Sequence, residues 1–373
     1  MKKFIIILAL LVGITILSFL WFDDNKDENK VNTIDRQPSV FKVGVIGPFT
    51  GNVATMGQNC RNAIELALQN NKNSPLSYQV IYEDDAYAPA KAAIAAQKLT
   101  SVDKVNALIT CSAISGSAAV GIAGQNKTFM IGVIASAPEI ANATPYSFLH
   151  WTQPHEEARQ MLKILKENHV KKVVTFELNH PGMSAIKNGL SQVMKDNGIE
   201  EVTYTFQPTE RDFTTLVDKA HAENADMWIL LTVSPTMEII IKNMTDKNIK
   251  VPYTSIEVPS LMSDKSLFEG ISYVDTYDGD PMVLKQYMDL YNTNNVYGVA
   301  YSYDAMNIIN TLVSDFYKAN GHLPTSDELV QKMQNLKGYT GAVGPIDVLP
   351  NGMIDSKAVI KKIVDGTPVV SEK

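Results

Sequence analysis

The sequence predicts an α/β protein made of two lobes, each built on a parallel sheet. Short β-branched apolar runs alternate with segments of helical periodicity, at the spacing typical of βαβ units. A second series of the same alternation begins after about residue 154. The chain has 373 residues, more than one hydrophobic core usually supports. Two successive sheets, each with its own helices, account for both observations.

The composition is that of a globular protein without a nucleic-acid partner. Hydrophobic residues make up 45% of the chain and charged residues 20%, which argues against disorder. The formal net charge is −7, so the chain lacks the basic surface that nucleic acid requires.

The first 40 residues are expected to lie outside the fold, as a signal anchor and polar tether. Lys2 and Lys3 precede an uncharged run over 4–22, and an acidic polar stretch follows. Such a run spans roughly 28 Å as a helix, close to the thickness of a bilayer core. We predict an uncleaved helix that holds the body at the outer face of the cytoplasmic membrane. Cleavage of this segment, leaving a soluble periplasmic protein, is the alternative.

The first lobe opens with a strand over 43–46 and a break at Gly47. A loop with small residues follows, including Gly51 and Gly57, and helical spacing is expected from residue 58. Further strands are predicted over 78–83, 107–110 and 128–133, and a helix from Pro89. Loops at the carboxyl ends of these strands would line a ligand crevice.

The second lobe is expected to begin where the chain crosses over at 150–154. Its predicted helices cover 155–168, 182–197, 212–223 and 235–246. Its predicted strands cover 172–177, 202–206, 227–231 and 252–255. A return to the first lobe is expected near 273–278, followed by a helix with the sequence YSYDAMNIINTLV.

Several segments resemble one family in the order in which they occur. The run VGVIGPFTG, followed by MGQNCRNAIELA, resembles the opening of the type I periplasmic binding proteins, and within them the leucine/isoleucine/valine-binding branch. The YDA helix and the tail TGAVGPIDVLPNGMID are similar as well. The resemblance implies two Rossmann-like lobes joined by a three-strand hinge. It divides the chain into 41–150 plus 279–345 as the first lobe, and 151–278 plus 346–373 as the second.

Enzyme motifs are missing from the sequence. There is no GxxxxGK[ST] phosphate loop, and Ser115 lies in AISGS, which lacks the glycines of a GxSxG elbow. The segment beginning at His155 is not an HExxH zinc helix. We therefore expect a binding protein rather than an enzyme, without a cofactor or a metal.

Two loops of the first lobe carry candidate ligand-binding residues. Ser115 and Ser117 follow the third strand, and Ala135 and Ser136 follow the fourth. The resemblance implies that these positions hold the carboxylate and ammonium of an amino acid through hydroxyls and main chain. Capping of the next helix by Ser115 or Ser117 is the structural alternative.

The second lobe contributes Glu257, in SIEVPS, at the position where the family has a glutamate that neutralises a bound ammonium. Ser234 stands where relatives place a group over the ligand, and Met56 stands at a first-lobe wall position. An exposed loop carboxylate is the alternative for Glu257. For Met56 the alternative is ordinary packing.

The expected function is capture of an amino acid or a related small carboxylate for the permease of an ABC importer. A ligand-sensing regulatory domain that uses the same cleft without transport is the alternative. Two departures from the family, Pro181 in place of tyrosine and Trp151 in place of arginine, leave a larger or more apolar solute, or an amide, open.

The sequence leaves two states open for the two cysteines, Cys60 and Cys111. They can form a disulfide near one edge of the first sheet, which an exported location permits, or remain two buried thiols.

Overall fold

A computed structural model of the chain describes residues 40–371, except residues 73, 75, 263 and 355. The expected anchor and tether therefore lie outside the described residues. The strands are β1 Val40–Gly47, β2 Ser77–Asp84, β3 Ala107–Thr110, β4 Phe129–Val133, β5 Ser147–His150, β6 Lys172–Leu178, β7 Glu200–Phe206, β8 Met227–Leu231, β9 Tyr253–Thr254, β10 Ser272–Thr276, β11 Tyr339–Gly341, β12 Gly344–Ile346, β13 Met353–Ile354, β14 Ala358–Val364 and β15 Thr367–Val370.

The α-helices alternate with the strands through most of the chain. They are α1 Ala54–Asn70, α2 Pro89–Gln97, α3 Ala113–Gln125, α4 Glu139–Asn142, α5 Pro154–Glu167, α6 Pro181–Asp196, α7 Thr214–Ala222, α8 Thr236–Asp246, α9 Val258–Leu261, α10 Pro281–Tyr291, α11 Val299–Asn320 and α12 Ser326–Gln334. A π-helical turn, Lys98–Val102, follows α2, and a 3-10 turn, Lys265–Phe268, precedes β10.

The first lobe is organised around a six-stranded sheet in the order β13-β5-β4-β3-β1-β2, with every neighbouring pair parallel. Its central strands β3 and β4 are completely buried because helices cover both faces of the sheet. One hydrophobic core joins these strands with α1, α11 and α12.

The second lobe contains a four-stranded parallel sheet in the order β7-β6-β8-β9. A separate core packs around it, with Phe176, Trp228 and Phe213 among its largest side chains. An antiparallel sheet, β10-β14-β15, lies beside it and contributes to the same core. The two lobes and their parallel sheets confirm the predicted fold class.

Three connections cross between the two lobes: from β5 to α5, from β10 to α10, and from β13 to β14. Helix α10 packs on α1 of the first lobe in a small cluster of its own. The last crossing comes later than the predicted boundary at residue 346. Ile346, Val348 and Ile354 belong to the first core, and β13 pairs with β5 of the first sheet. The segment 346–354, expected in the second lobe, is therefore part of the first.

Helix α1 also begins earlier than expected, at Ala54 instead of residue 58, so Met56 lies in the helix and not in the preceding loop. Position 57 lies so close to the preceding loop that a Cβ atom there would be 2.2 Å from the carbonyl oxygen of Pro48.

Cys60 of α1 and Cys111, which directly follows β3, are joined in a disulfide. The bond attaches the first helix to the centre of the first sheet. Among the described residues, none of the helices is both long and apolar enough to cross a bilayer.

The contact at Gly57 predicts a pair of opposite stability effects. Gly57→Ala would force α1 away from the loop after β1, and should lower the free energy of unfolding by roughly 1–3 kcal/mol in urea denaturation. Gly121→Ala is the matched control, because a Cβ there meets no atom within 4 Å. Position 121 is exposed in the interior of α3, so Gly121→Ala should raise the free energy of unfolding by roughly 0.5–1 kcal/mol. Equal stability of the Gly57→Ala variant and the unmodified protein would contradict the close approach.

Candidate functional site

A small cavity of about 40 Å³ lies between the two lobes, where loops at the carboxyl ends of both parallel sheets face each other. Most of its wall is apolar, formed by Met56, Ile134, Met183, Ile186, Val233 and Leu261. Its polar groups come from Tyr87, Ser136, His180, Glu257 and Tyr297. In the part of the chain that the structure describes, no lysine or arginine lines this cavity.

Glu257 contributes a carboxyl group to the wall of the cavity. It lies directly before α9 with a positive φ of 63°, a backbone conformation that is uncommon for a residue with a side chain. The side chain is buried, with 7% of its surface exposed, so the exposed-loop alternative is wrong.

Three donors fix the Glu257 carboxylate. The Trp151 indole donates to Oε1 at 2.6 Å, the Ser136 hydroxyl donates to Oε1 at 3.1 Å, and the Tyr297 hydroxyl donates to Oε2 at 3.1 Å. Burial and the nearby Glu257 charge raise the pKa of Tyr297 well above its ordinary value, so this phenol remains a donor. Hydrogen bonds of this kind stabilise the ionised form of a buried acid.

A second acid, Glu157 of α5, lies behind Ser136. It is completely buried, and its Oε1 is 3.1 Å from the Ser136 hydroxyl oxygen. Burial, followed by the charge of Glu257, raises the pKa of Glu157 well above its ordinary value. Two carboxyl groups thus adjoin one hydroxyl at the junction of the lobes.

A contact between the lobes also contributes to the wall of the cavity. The Tyr87 hydroxyl lies 2.8 Å from His180 Nε2, and the two rings stack at 5.5 Å. His180 is also the N-cap of α6, because its Nδ1 accepts hydrogen bonds from the main-chain N–H groups of Gly182 and Met183. Burial lowers the pKa of His180 to about 4, so the ring is neutral at physiological pH.

The structure brings together three of the predicted site residues, since Met56, Ser136 and Glu257 all line the cavity. Ala135 is buried next to Ser136 without lining it. Ser234 lies in an adjoining cavity that Met56 also lines, and its hydroxyl donates to Glu238 at 2.6 Å.

Ser115 and Ser117 do not line the cavity. The Ser115 hydroxyl lies 2.6 Å from that of Ser112 and donates to buried Asp85 at 2.5 Å. The side chain that caps α3 belongs to Ser112, which accepts a hydrogen bond from the main-chain N–H of Ser115. Ser117 is placed outside the cleft, with its hydroxyl 3.4 Å from Glu139.

Sequence reasoning missed Glu157, Tyr87, His180 and Tyr297. Helical spacing could have found Glu157, because it falls on the same face of α5 as the buried residues Met161 and Ile164. The aromatic residues and His180 carry no comparable signal, since each meets its partner only through contacts between distant segments.

Known proteins match this chain both in sequence and in fold. The sequence profile of the family described as "Periplasmic binding protein" matches residues 40–367. Curated relatives include Leu/Ile/Val-binding protein homolog 6 of Brucella abortus, 27% identical over 238 residues, or 61% of this chain and 60% of that protein. Another is Leu/Ile/Val-binding protein BraC3 of Rhizobium johnstonii, 26% identical over 50% of this chain and 52% of that protein. The aligned region thus spans about 60% or less of these relatives' length.

Solved structures share the fold at low sequence identity. The leucine-binding protein LivK of Thermotoga maritima has a TM-score of 0.81 at 19% identity, covering 89% of this chain and 98% of LivK. A solute-binding protein of Rhodopseudomonas palustris in complex with 3,4-dihydroxybenzoic acid has a TM-score of 0.77 at 21% identity. The match covers 90% of this chain and 96% of that protein. LivJ of Streptococcus pneumoniae in complex with isoleucine has a TM-score of 0.77 at 18% identity. The match covers 90% of this chain and 99% of LivJ.

The low pKa of His180 predicts a loss of stability in mild acid. Between pH 6.5 and about 4 the unfolded chain takes up a proton at this residue that the folded protein does not. The free energy of unfolding should therefore fall as the pH drops through this window, by at most about 3 kcal/mol. His180→Asn keeps an acceptor for the start of α6 but cannot titrate, so this part of the acid sensitivity should disappear.

Urea denaturation of the full-length protein at several pH values measures this effect. His155→Asn serves as the control, because the side chain of His155 is 72% exposed. An identical pH dependence in the unmodified protein and the His180→Asn variant would contradict the buried, neutral state of His180.

Proposed function

The chain belongs to the periplasmic binding protein family, and we propose that it is an extracytoplasmic receptor that delivers a small amino-acid-like solute to an ABC importer. The curated relatives are named as binding proteins for leucine, isoleucine and valine, and several structural neighbours are solute-binding proteins of ABC transporters. The family consists of binding proteins, in accord with the absence of enzyme motifs in the sequence.

The observation that carries the proposal is the Glu257 carboxylate. It is buried at the junction of the lobes, and neither a lysine nor an arginine lines the cavity in the described part of the chain. An ionised carboxylate away from water costs several kcal/mol unless a cation meets it. The ammonium group of an amino acid would supply that cation, with Ser136 beside it as a further hydrogen-bonding group.

The carboxylate of the solute would bind at the opposite side of the cavity. Ala113, the first residue of α3, lines the cavity, and the first turn of a helix presents N–H groups that have no partner within the helix. The neutral His180 and the Tyr87 hydroxyl lie nearby as uncharged polar groups. The N–H groups of Ala113 and Ile114 would hold this carboxylate, because the N–H of Ser115 already donates to the Ser112 hydroxyl. We retain Ser115 and Ser117 in the proposed site as residues of the same helix. Ala135 and Ser234 complete the proposed site.

A solute that carries only negative charge fits this cavity poorly. Some structural neighbours were solved with benzoates, which have a carboxylate and no ammonium. Here such a ligand would bring a second negative charge next to Glu257 without a basic side chain to balance it. The proposal therefore favours an amino acid over an aromatic acid.

Entry of the solute requires the lobes to separate. The cavity has room for only about three water molecules, much less than an amino acid needs. The three connections between the cores would form the hinge for this opening. The solute would then stabilise closure because it contacts both lobes at once.

The location follows from the family. Periplasmic binding proteins work outside the cytoplasm, and we propose that the apolar run over 4–22 tethers this one to the outer face of the cytoplasmic membrane. The permease would take up the solute at that face.

Isothermal titration of the full-length protein with L-amino acids, their deaminated acids and benzoates tests the proposed ligand class. An amino acid should bind, and its deaminated counterpart should bind much more weakly. Glu257→Gln should lower the affinity for the amino acid by at least about 30-fold, or about 2 kcal/mol, because the ammonium loses its charged partner.

Glu210→Gln is the matched control, since it neutralises an exposed second-lobe carboxylate that bonds only to nearby main-chain N–H groups. The affinity of this variant for the amino acid should stay within about twofold of that of the unmodified protein, because exposed charges contribute only small energies. Binding of benzoates but of no amino acid would refute the ammonium role of Glu257.

A further inference from the structure

The hydrogen bonds around Ser136 require one more proton than its hydroxyl supplies. The Ser136 oxygen lies 3.1 Å from Glu157 Oε1 and 3.1 Å from Glu257 Oε1. A hydroxyl has a single proton to donate, and an ionised carboxylate has none. Both contacts can be full two-centre hydrogen bonds, rather than one proton shared between two acceptors, only if one of the two carboxyl groups is itself protonated and donates to Ser136.

The surroundings indicate that the protonated group is Glu157. Glu257 accepts hydrogen bonds from the Trp151 indole and the Tyr297 hydroxyl, which stabilise its negative charge. Glu157 is completely buried, and its Oε2 has no hydrogen-bond partner among the described residues. Burial and the charge of Glu257 both raise the pKa of Glu157.

Other ionisable groups face this pair from three neighbouring elements. Asp275 of β10 and Asp278 after it are both paired with buried Lys361 of β14, at 3.0 and 2.6 Å from its Nζ. Tyr297, before α11, and Tyr301, within it, have raised pKa values because they are buried. Burial also raises the pKa of Tyr87 and lowers that of His180, both of which line the cavity with Glu257. Lys361 already has two carboxylates as partners, so its charge does not offset Glu157 and Glu257.

We propose that Glu157 is a positioning residue of the ligand site, which keeps its proton at neutral pH and donates it to Ser136. The Ser136 proton then points to Glu257, and Glu257 is the single anion of the pair. This inference rests on the proposed function, because the ligand it describes is the solute of that site. The pair carries one negative charge and so matches a solute with one ammonium group.

Two substitutions separate this role from simple packing. In Glu157→Gln the side-chain amide donates to Ser136 as the protonated acid does, but it cannot titrate. In Glu157→Leu the donor is lost while an apolar side chain of similar size fills the site. The glutamine variant should therefore behave as the native site does at neutral pH, and the leucine variant should not.

The first measurement needs no ligand. Carbon-13 NMR of the glutamate carboxyls in the full-length protein should show one carboxyl, missing in Glu157→Gln, that stays protonated at neutral pH. Because a raised pKa contributes stability that is lost as the pH rises, the unfolding free energy should fall relative to Glu157→Gln from about pH 4.5 upward. Ionisation of Glu157 in the ordinary glutamate range near pH 4–5 would overturn the proposal, whatever the ligand is.

The second measurement uses methylammonium chloride, with sodium acetate as the anionic comparison. The Trp151 indole N–H donates to Glu257, so its nitrogen-15 NMR signal reports on the charge of that acid. Methylammonium should shift this signal and acetate should not. The affinity of Glu157→Gln for methylammonium should stay within about threefold of the unmodified protein, and that of Glu157→Leu should fall at least tenfold. A shift by acetate alone, or equal affinities of the two variants, would overturn the proposal.

The two hypotheses fail in different ways. If amino acids bind while Glu157 is ionised at neutral pH, the proposed function stands and the inference is wrong. If Glu157 holds its proton and methylammonium binds while no amino acid does, the inference stands and the proposed ligand class is wrong.

Discussion

The structure of the site depends on one buried carboxylate, for which the described residues of the two lobes place no lysine or arginine in the wall of the cavity. Glu257 extends from the second lobe, and its donors are Ser136, Trp151 and Tyr297. These hydrogen bonds orient the negative charge but do not neutralise it. A neighbouring acid, Glu157, is buried as well, and burial together with the charge of Glu257 raises its pKa. The cavity is therefore suited to a group that brings a positive charge, and this requirement shapes the proposed ligand.

The fold explains how such a charge can be buried and still be reached. In both lobes the parallel strands end at the edge that faces the cavity, so loops from two independent sheets supply its walls. Each lobe has its own core, which allows the two to move as units about the three connections. The Tyr87–His180 contact, together with the donors of Glu257, holds the lobes closed over a cavity that is too small for a solute.

Much of this arrangement could be predicted from the sequence, because periodicity and strand-end position are local properties. The alternation of strands and helices predicted the two sheets. Strand-end position together with the family resemblance led to Ser136 and Glu257. Met56 was found through resemblance alone. The partners of Glu257 could not be predicted, since Tyr297 precedes α11 and meets Glu257 only through the fold. The Ser115 hydroxyl was expected to bind the ligand, but in the structure it donates a hydrogen bond to buried Asp85.

A crystal structure of the protein with the tightest-binding amino acid from the titration tests the central claim most directly. The account predicts that the amino nitrogen lies within hydrogen-bond distance of the Glu257 carboxylate, between the closed lobes. A solute bound elsewhere, or one whose carboxylate or apolar part faces Glu257, would contradict it.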